Sequence, residues 1–221
     1  MLTPRDIAIL KFINRYGKSY NEVMARTFFS SSITSSKRLN ELQKQGLITF
    51  WNTKHISPRR AIVLTNEAKE YLSEHHDIKP KNAKMNLTTL HHNIVEQIAD
   101  YHLSQIGQVI RTTISQHNTT LHHVPDFIFT SKNNQRFNIE IELTKKAQNR
   151  YKEILIDTSK DAIDGILYIF PKKEDIERYI NFLPKDRRLL FIDIDSLISN
   201  ITNFGKINPI SQEQNLFQNH E

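Results

Sequence analysis

The sequence predicts a mixed α/β chain in two parts: a helical front module with a small β-hairpin, then a sheet of mixed strand direction with helices on its faces. Three observations predict it. Apolar residues recur at helical spacing up to Gly46. Beyond Gly107 the pattern changes to period two. Between these regimes the polar, Pro-containing stretch 76–86 shows no periodicity and reads as a linker. The expected organisation is a first domain over 1–75, the linker, a second domain over 87–205 and a polar tail over 206–221.

In "TPRDIAILKFINRYG", Thr3 suits an N-cap, Pro4 the first helical position and Gly17 the stop. Ile7, Leu10, Phe12, Ile13 and Tyr16 give this helix its apolar stripe. A short helix follows in "SYNEVMARTF". The next, in "SSSITSSKRLNELQKQGLI", places Ile33, Leu39 and Leu42 at helical spacing, turns Lys37, Arg38 and Lys44 outward, and ends at Gly46. "LITFW" and "AIVLT" read as two strands around the loop "NTKHISPRR", and "NEAKEYLSEH" as a closing helix. Three helices, a hairpin and a helix is the element order of a winged helix.

Charge points to a partner. Net charge is +6, and residues 1–75 hold 12 Lys/Arg against 6 Asp/Glu, whereas 76–221 hold 18 against 18. The whole basic excess therefore lies in the first third, as expected of a nucleic-acid-binding module. The stretches "KRLNELQKQGLI" and "VLTNEAKEYL" resemble winged-helix repressors at the ends of the recognition helix and the wing. That resemblance implies major-groove entry by the third helix, with Lys37, Arg38 and Lys44 near bases and phosphates, and a wing in which Lys54, His55, Arg59 and Arg60 grip the backbone or the minor groove.

The second domain opens with the amphipathic helix "LTTLHHNIVEQIADYHLSQIG". "QVIRTTIS", "DFIFTS" and "FNIEIELT" follow as strands, with Asn133 and Asn134 in the last turn. Helix "KKAQNRYKEILIDTSK", strand "GILYIF", helix "KEDIERYINFL" and strand "RLLFIDI" complete it.

The acids in this domain are unusual, since strands are depleted of Asp and Glu. Side chains alternate along a strand, so Ile139, Ile141 and Leu143 face one way while Glu140, Glu142 and Thr144 face the other. Asp126 opens the preceding strand and can be brought alongside. Oxygen donors of this kind suit Mg²⁺ or Mn²⁺, ions that activate water for attack on phosphorus.

Pro125-Asp126, then Glu140-Ile-Glu142 with Lys145 close behind, resembles the PD-(D/E)xK nuclease superfamily. The resemblance implies metal binding by Asp126 and Glu140. It places Glu142 where the family usually has Lys. In an alternative register Glu142 is the ligand and Lys145 or Lys146 takes the Lys role; both registers stay open. Glu96 is the candidate for the acid that many members take from the first helix. The winged helix, the segment "HHNIVEQ", then "VPDFIF" and "IEIELT" together resemble replication-relaxation and MobC-type plasmid mobilisation proteins. This implies a Mg²⁺- or Mn²⁺-dependent nicking relaxase acting on double-stranded DNA at a plasmid origin, alongside other relaxosome or coupling proteins. In the competing expectation the protein is a DNA-binding regulator or accessory factor, its nuclease-like domain inactive and used for homodimer formation or partner docking.

Other classes find no support. The sequence has no Cys, no GxxxxGK[ST] or GxGxxG, no leader-type cleavage site and no apolar run of membrane-spanning length, so a cytoplasmic location is expected. Its His doublets (75–76, 91–92, 122–123) point apart on any regular element, which disfavours zinc.

Overall fold

The computed structural model describes residues 2–53, 60–83, 89–112 and 121–204. The chain is mixed α/β with two sheets and divides into two compact units, Met1–Ile98 and Ala99–Glu221. The end of the expected linker, most of the hairpin loop and the polar tail lie outside the described residues.

The first unit runs α1 (Pro4–Tyr16), α2 (Asn21–Thr27), α3 (Ser32–Lys44), β1 (Ile48–Asn52), β2 (Arg60–Leu64), α4 (Asn66–His76) and the beginning of α5 (Leu90–Leu103). α1 starts in a capping box. The Asp6 amide donates to the Thr3 hydroxyl, and the Asp6 carboxylate accepts from the Thr3 amide at 2.7 Å. It ends at Gly17, whose φ of 74° suits glycine, and where a Cβ would come within 2.8 Å of the Asn82 carbonyl oxygen. Ser31 caps α3 by accepting from the Thr34 amide, and Thr65 caps α4 in the same way through Ala68. β1 and β2 pair antiparallel, Ile48 opposite Leu64, and Ser19 bridges to Ile62. Ile9, Leu10, Ile13, Val23, Met24, Leu39, Leu42 and Ile62 fill the interior. Ile33 departs from its expected stripe: it is 68% exposed.

Residues 77–83, expected to be linker, are tied to α1 instead. Asn14 donates to the Lys79 carbonyl at 3.0 Å and accepts the Lys81 amide at 3.0 Å. Such tethers satisfy the buried Asn14 amide and hold a stretch that has no ladder of its own.

The second unit is built on a five-stranded sheet in the order β3 (Gly107–Arg111), β4 (Phe127–Ser131), β5 (Arg136–Ile141), β6 (Gly165–Phe170), β7 (Leu189–Asp193). β3 to β5 form an antiparallel meander, and Asn134 takes φ 62° in the turn before β5. β5, β6 and β7 are parallel, connected through α6 (Gln148–Thr158) and α7 (Lys173–Tyr179). One face carries Ile166, Tyr168 and Leu189 against Tyr151 and Ile154 of α6 and Tyr179 of α7. The other buries Phe127, Ile139, Ile141, Leu167 and Ile169. The sheet is therefore covered on both sides, and β6 is buried along its whole length.

A helix over Ile194–Phe204, α8, was not expected from the sequence. Asp193, the last residue of β7, starts it: its carboxylate accepts the Asp195 amide at 3.1 Å, the Ser196 amide at 2.9 Å and the Ser196 hydroxyl at 2.5 Å. The cap sits inside "FIDIDSLI", where an apolar strand runs straight into an apolar helix and hides the boundary.

Candidate functional site

In the first unit the expected DNA-contacting residues separate into three groups. Lys37 and Lys44 stand exposed on α3, and Arg60 is exposed at the start of β2, its guanidinium over the Phe50 ring. Lys54, His55 and Arg59 lie outside the described residues. Arg38 is committed elsewhere. Its Nε and Nη2 donate to the two Asp6 carboxylate oxygens at 2.7 and 2.5 Å, and its Nη1 bonds Glu41. This bidentate tie joins the N-terminus of α1 to α3 and fixes the helix on its base. Burial pushes the Asp6 carboxyl up, but hydrogen bonds from Arg38 and Thr3 outweigh it and hold the group at about 2.

Along α3 the outward residues Ile33, Lys37, Asn40 and Lys44 recur at intervals of four, three and four. They form one stripe on the side opposite Ser35, Leu39 and Leu42, which are buried.

In the second unit the expected acids occupy adjoining strand ends. β4 and β5 pair with Phe127 opposite Ile139, and Asp126, just before β4, donates its amide to the same Ile139 carbonyl at 3.0 Å. The Asp126 carboxylate does not extend outward; it accepts the Ile141 amide at 2.7 Å, closing the ladder where β4 begins. Glu140 lies 6% exposed across from Tyr168, with Oε1 2.6 Å from His123 Nε2. Glu142, 2% exposed, has its amide on the Ile169 carbonyl and a carboxylate oxygen 2.6 Å from Lys146 Nζ. Tyr151 completes this knot: its hydroxyl hydrogen-bonds Glu142 and accepts the Lys146 amide at 3.0 Å. Burial raises the Glu142 carboxyl above its ordinary value and Glu140 adds to the rise, while the Lys146 ammonium draws it back. Burial likewise pushes the Tyr151 phenol up to about 12.

The alternation of β5 put Ile139 and Ile141 in a core, and they are buried. The acids opposite them are buried as well, because α6 lies over that face. Lys146, in the loop beyond the end of β5, reaches Glu142, whereas Lys145 is exposed with its ammonium over the Phe182 ring. Glu96 is in the portion of α5 that belongs to the first unit, buried, with its charge acting on Lys18. Its neighbour Gln97 accepts the Ser19 hydroxyl at 2.7 Å and donates to the Lys18 carbonyl. The His122–His123 doublet splits: His122 bonds Asp161 and His123 bonds Glu140. Nothing in the sequence pointed to His123, since its contact with Glu140 depends on the register of β4 against β5.

The nuclease resemblance implies a divalent metal, which these oxygens would hold only if they turned towards one point. Among the described residues no group of three or more His, Asp or Glu is arranged so as to hold a metal ion. The residue types suit a hard cation. In this structure each acid has a partner of its own: an amide, an imidazole, an ammonium.

Comparisons with known proteins leave the family open. No family model matches the chain, and no curated protein matches it. One solved structure is similar, protein VC1899 from Vibrio cholerae, at 12% identity and a TM-score of 0.38 over 93% of this chain. The chain spans 57% of that protein's length. No helix among the described residues is long and apolar enough to cross a membrane.

Proposed function

We propose that this chain is a duplex-DNA-binding protein: a winged-helix front unit presents α3 to the major groove, and a PD-(D/E)xK-like second unit accompanies it. The observation that carries this reading is the outward stripe of α3, with Lys37 and Lys44 exposed on a helix held firmly from behind by Leu39, Leu42 and the Arg38–Asp6 tie. The basic excess of residues 1–75 supports it. Binding is electrostatic in large part, so it weakens with salt. The test is a titration of a fluorescent duplex at several salt concentrations with wild type and the Lys37→Ala/Lys44→Ala double variant. Two lost phosphate contacts should lower the slope of log K against log salt by about 2 and weaken binding about tenfold or more near 100 mM salt. Equal slopes for the two proteins would place the contact surface elsewhere.

A second reading has the acid cluster cut DNA, as a Mg²⁺- or Mn²⁺-dependent nickase at a plasmid origin working with relaxosome partners. It is favoured by Asp126 bonding the backbone of the strand that carries Glu140, with Glu142 and Lys146 paired just beyond the end of that strand. Against it stand the internal partners of all three acids. Incubating supercoiled plasmid with the protein and Mn²⁺ decides between them: the non-catalytic reading expects the plasmid to stay supercoiled. Open-circle product that disappears in Asp126→Ala would establish the nickase.

A further inference from the structure

Ile33 is the largest exposed apolar side chain on α3, at 68% exposure. A lone exposed Ile is commonplace on protein surfaces; its position is what matters. It occupies the first turn of the helix and heads the stripe that continues through Lys37, Asn40 and Lys44. The N-terminal residues of a recognition helix are those that reach base edges in the major groove. In that groove the one apolar feature of a base edge is the thymine 5-methyl group. The residues below Ile33 in the stripe suit the same occupant: exposed ammonium groups match phosphate, and an Asn can pair with adenine N6 and N7. Self-association fits less well, because two copies meeting through this stripe would bring Lys37 and Lys44 against their own equivalents.

We infer that Ile33 is a specificity-determining residue, which selects DNA sites bearing a thymine at one position by packing on its 5-methyl group. This rests on the DNA-binding reading above and names what the same helix recognises. Ile33 is not part of the interior, so Ile33→Ala leaves the fold intact and slightly favours the helix.

The probe is a pool of duplexes with 20 randomised base pairs, selected for retention by the full chain. Selected sequences should share a thymine, and replacing it by deoxyuridine, which lacks only the methyl, should weaken wild-type binding about fivefold, as for one methyl withdrawn from an apolar contact. Ile33→Ala should bind the two duplexes equally. The inference is overturned if no thymine-to-deoxyuridine change alters wild-type binding, or if Ile33→Ala keeps the full preference for thymine. It is equally overturned if sedimentation shows a self-associated species that Ile33→Ala abolishes. Salt-dependent binding with no thymine preference sinks only this inference. Failure of every duplex to be retained at low salt sinks the DNA-binding reading along with it.

Discussion

Replacing Lys146 by Met should lower the stability of the protein by about 2–3 kcal/mol at neutral pH, at the lower edge of the range for breaking a buried ion pair because the ammonium is partly exposed. The side chain of Glu142 is 2% exposed and that of Lys146 is 32% exposed, so it is the carboxylate that cannot recover water when its partner goes. The loss should depend on pH in a definite sense. Burial already raises the Glu142 carboxyl in the folded protein, and removing the ammonium beside it raises it further. A carboxyl whose folded pKa lies above its unfolded one stabilises the fold most below the unfolded value, and that contribution disappears as pH rises through the folded value. The deficit of Lys146→Met relative to wild type should therefore be large at pH 7–8 and shrink on acidification towards pH 4.5. Adding Glu142→Gln to Lys146→Met should recover most of the loss, since no buried charge is then left unpaired. Urea unfolding of the four proteins of this cycle at two pH values measures all of it. A Lys146→Met variant as stable as wild type at pH 8, but without Mn²⁺-dependent nicking, would make Lys146 a catalytic rather than a positioning residue and revive the nickase.

The second large effect is expected at Asp6. Its side chain is 2% exposed and accepts from the Thr3 amide and hydroxyl as well as from Arg38 through two parallel bonds. Asp6→Asn keeps the shape but forfeits the charge, and with it the bidentate match to guanidinium. A cost of about 3 kcal/mol is expected, combining a broken buried pair with a weakened capping box. In wild type the same carboxyl, held at about 2 against an ordinary 3.8, gives stability that is fully present above pH 3.8 and is lost as pH falls through 2. Acid unfolding of wild type should therefore include a component of about 2 kcal/mol in this window that Asp6→Asn lacks. Because Arg38 anchors α3 through Asp6, the variant should also bind DNA less well even where it remains folded. An unchanged denaturation midpoint would show that the tie holds nothing in place.

Much of this architecture could be read from the chain because it rests on local chemistry. Thr3, Pro4 and Gly17 act within one helix, and the alternation through Ile139 and Ile141 within one strand, which stops before Leu143. What escaped depends on contacts between distant segments. Ile33 does not share the period of Leu39 and Leu42: at 3.6 residues per turn it falls on the opposite face of α3 from the interior that buries them. Glu140 and Glu142 read as an open acidic face, since nothing in "NIEIELTK" shows that α6 returns over it and brings Tyr151 onto Glu142. His123 carries no pattern of its own, as Glu140 stands 17 residues away, and the local Thr3–Asp6 capping box shows nothing of the Arg38 partner 32 residues on. α8 was hidden by its apolar run, in which the capping Asp193 reads as one more strand residue.

The account depends most on α3 being the surface that meets DNA, and chemical footprinting of lysines tests that directly. The intact protein is acetylated briefly, with and without saturating duplex at low salt, and modification at each lysine is read by mass spectrometry. Lys37 and Lys44 should be shielded by the duplex and exposed again at high salt. If both react equally fast with the duplex bound and absent, α3 does not face DNA, and the proposed role of this helix is wrong.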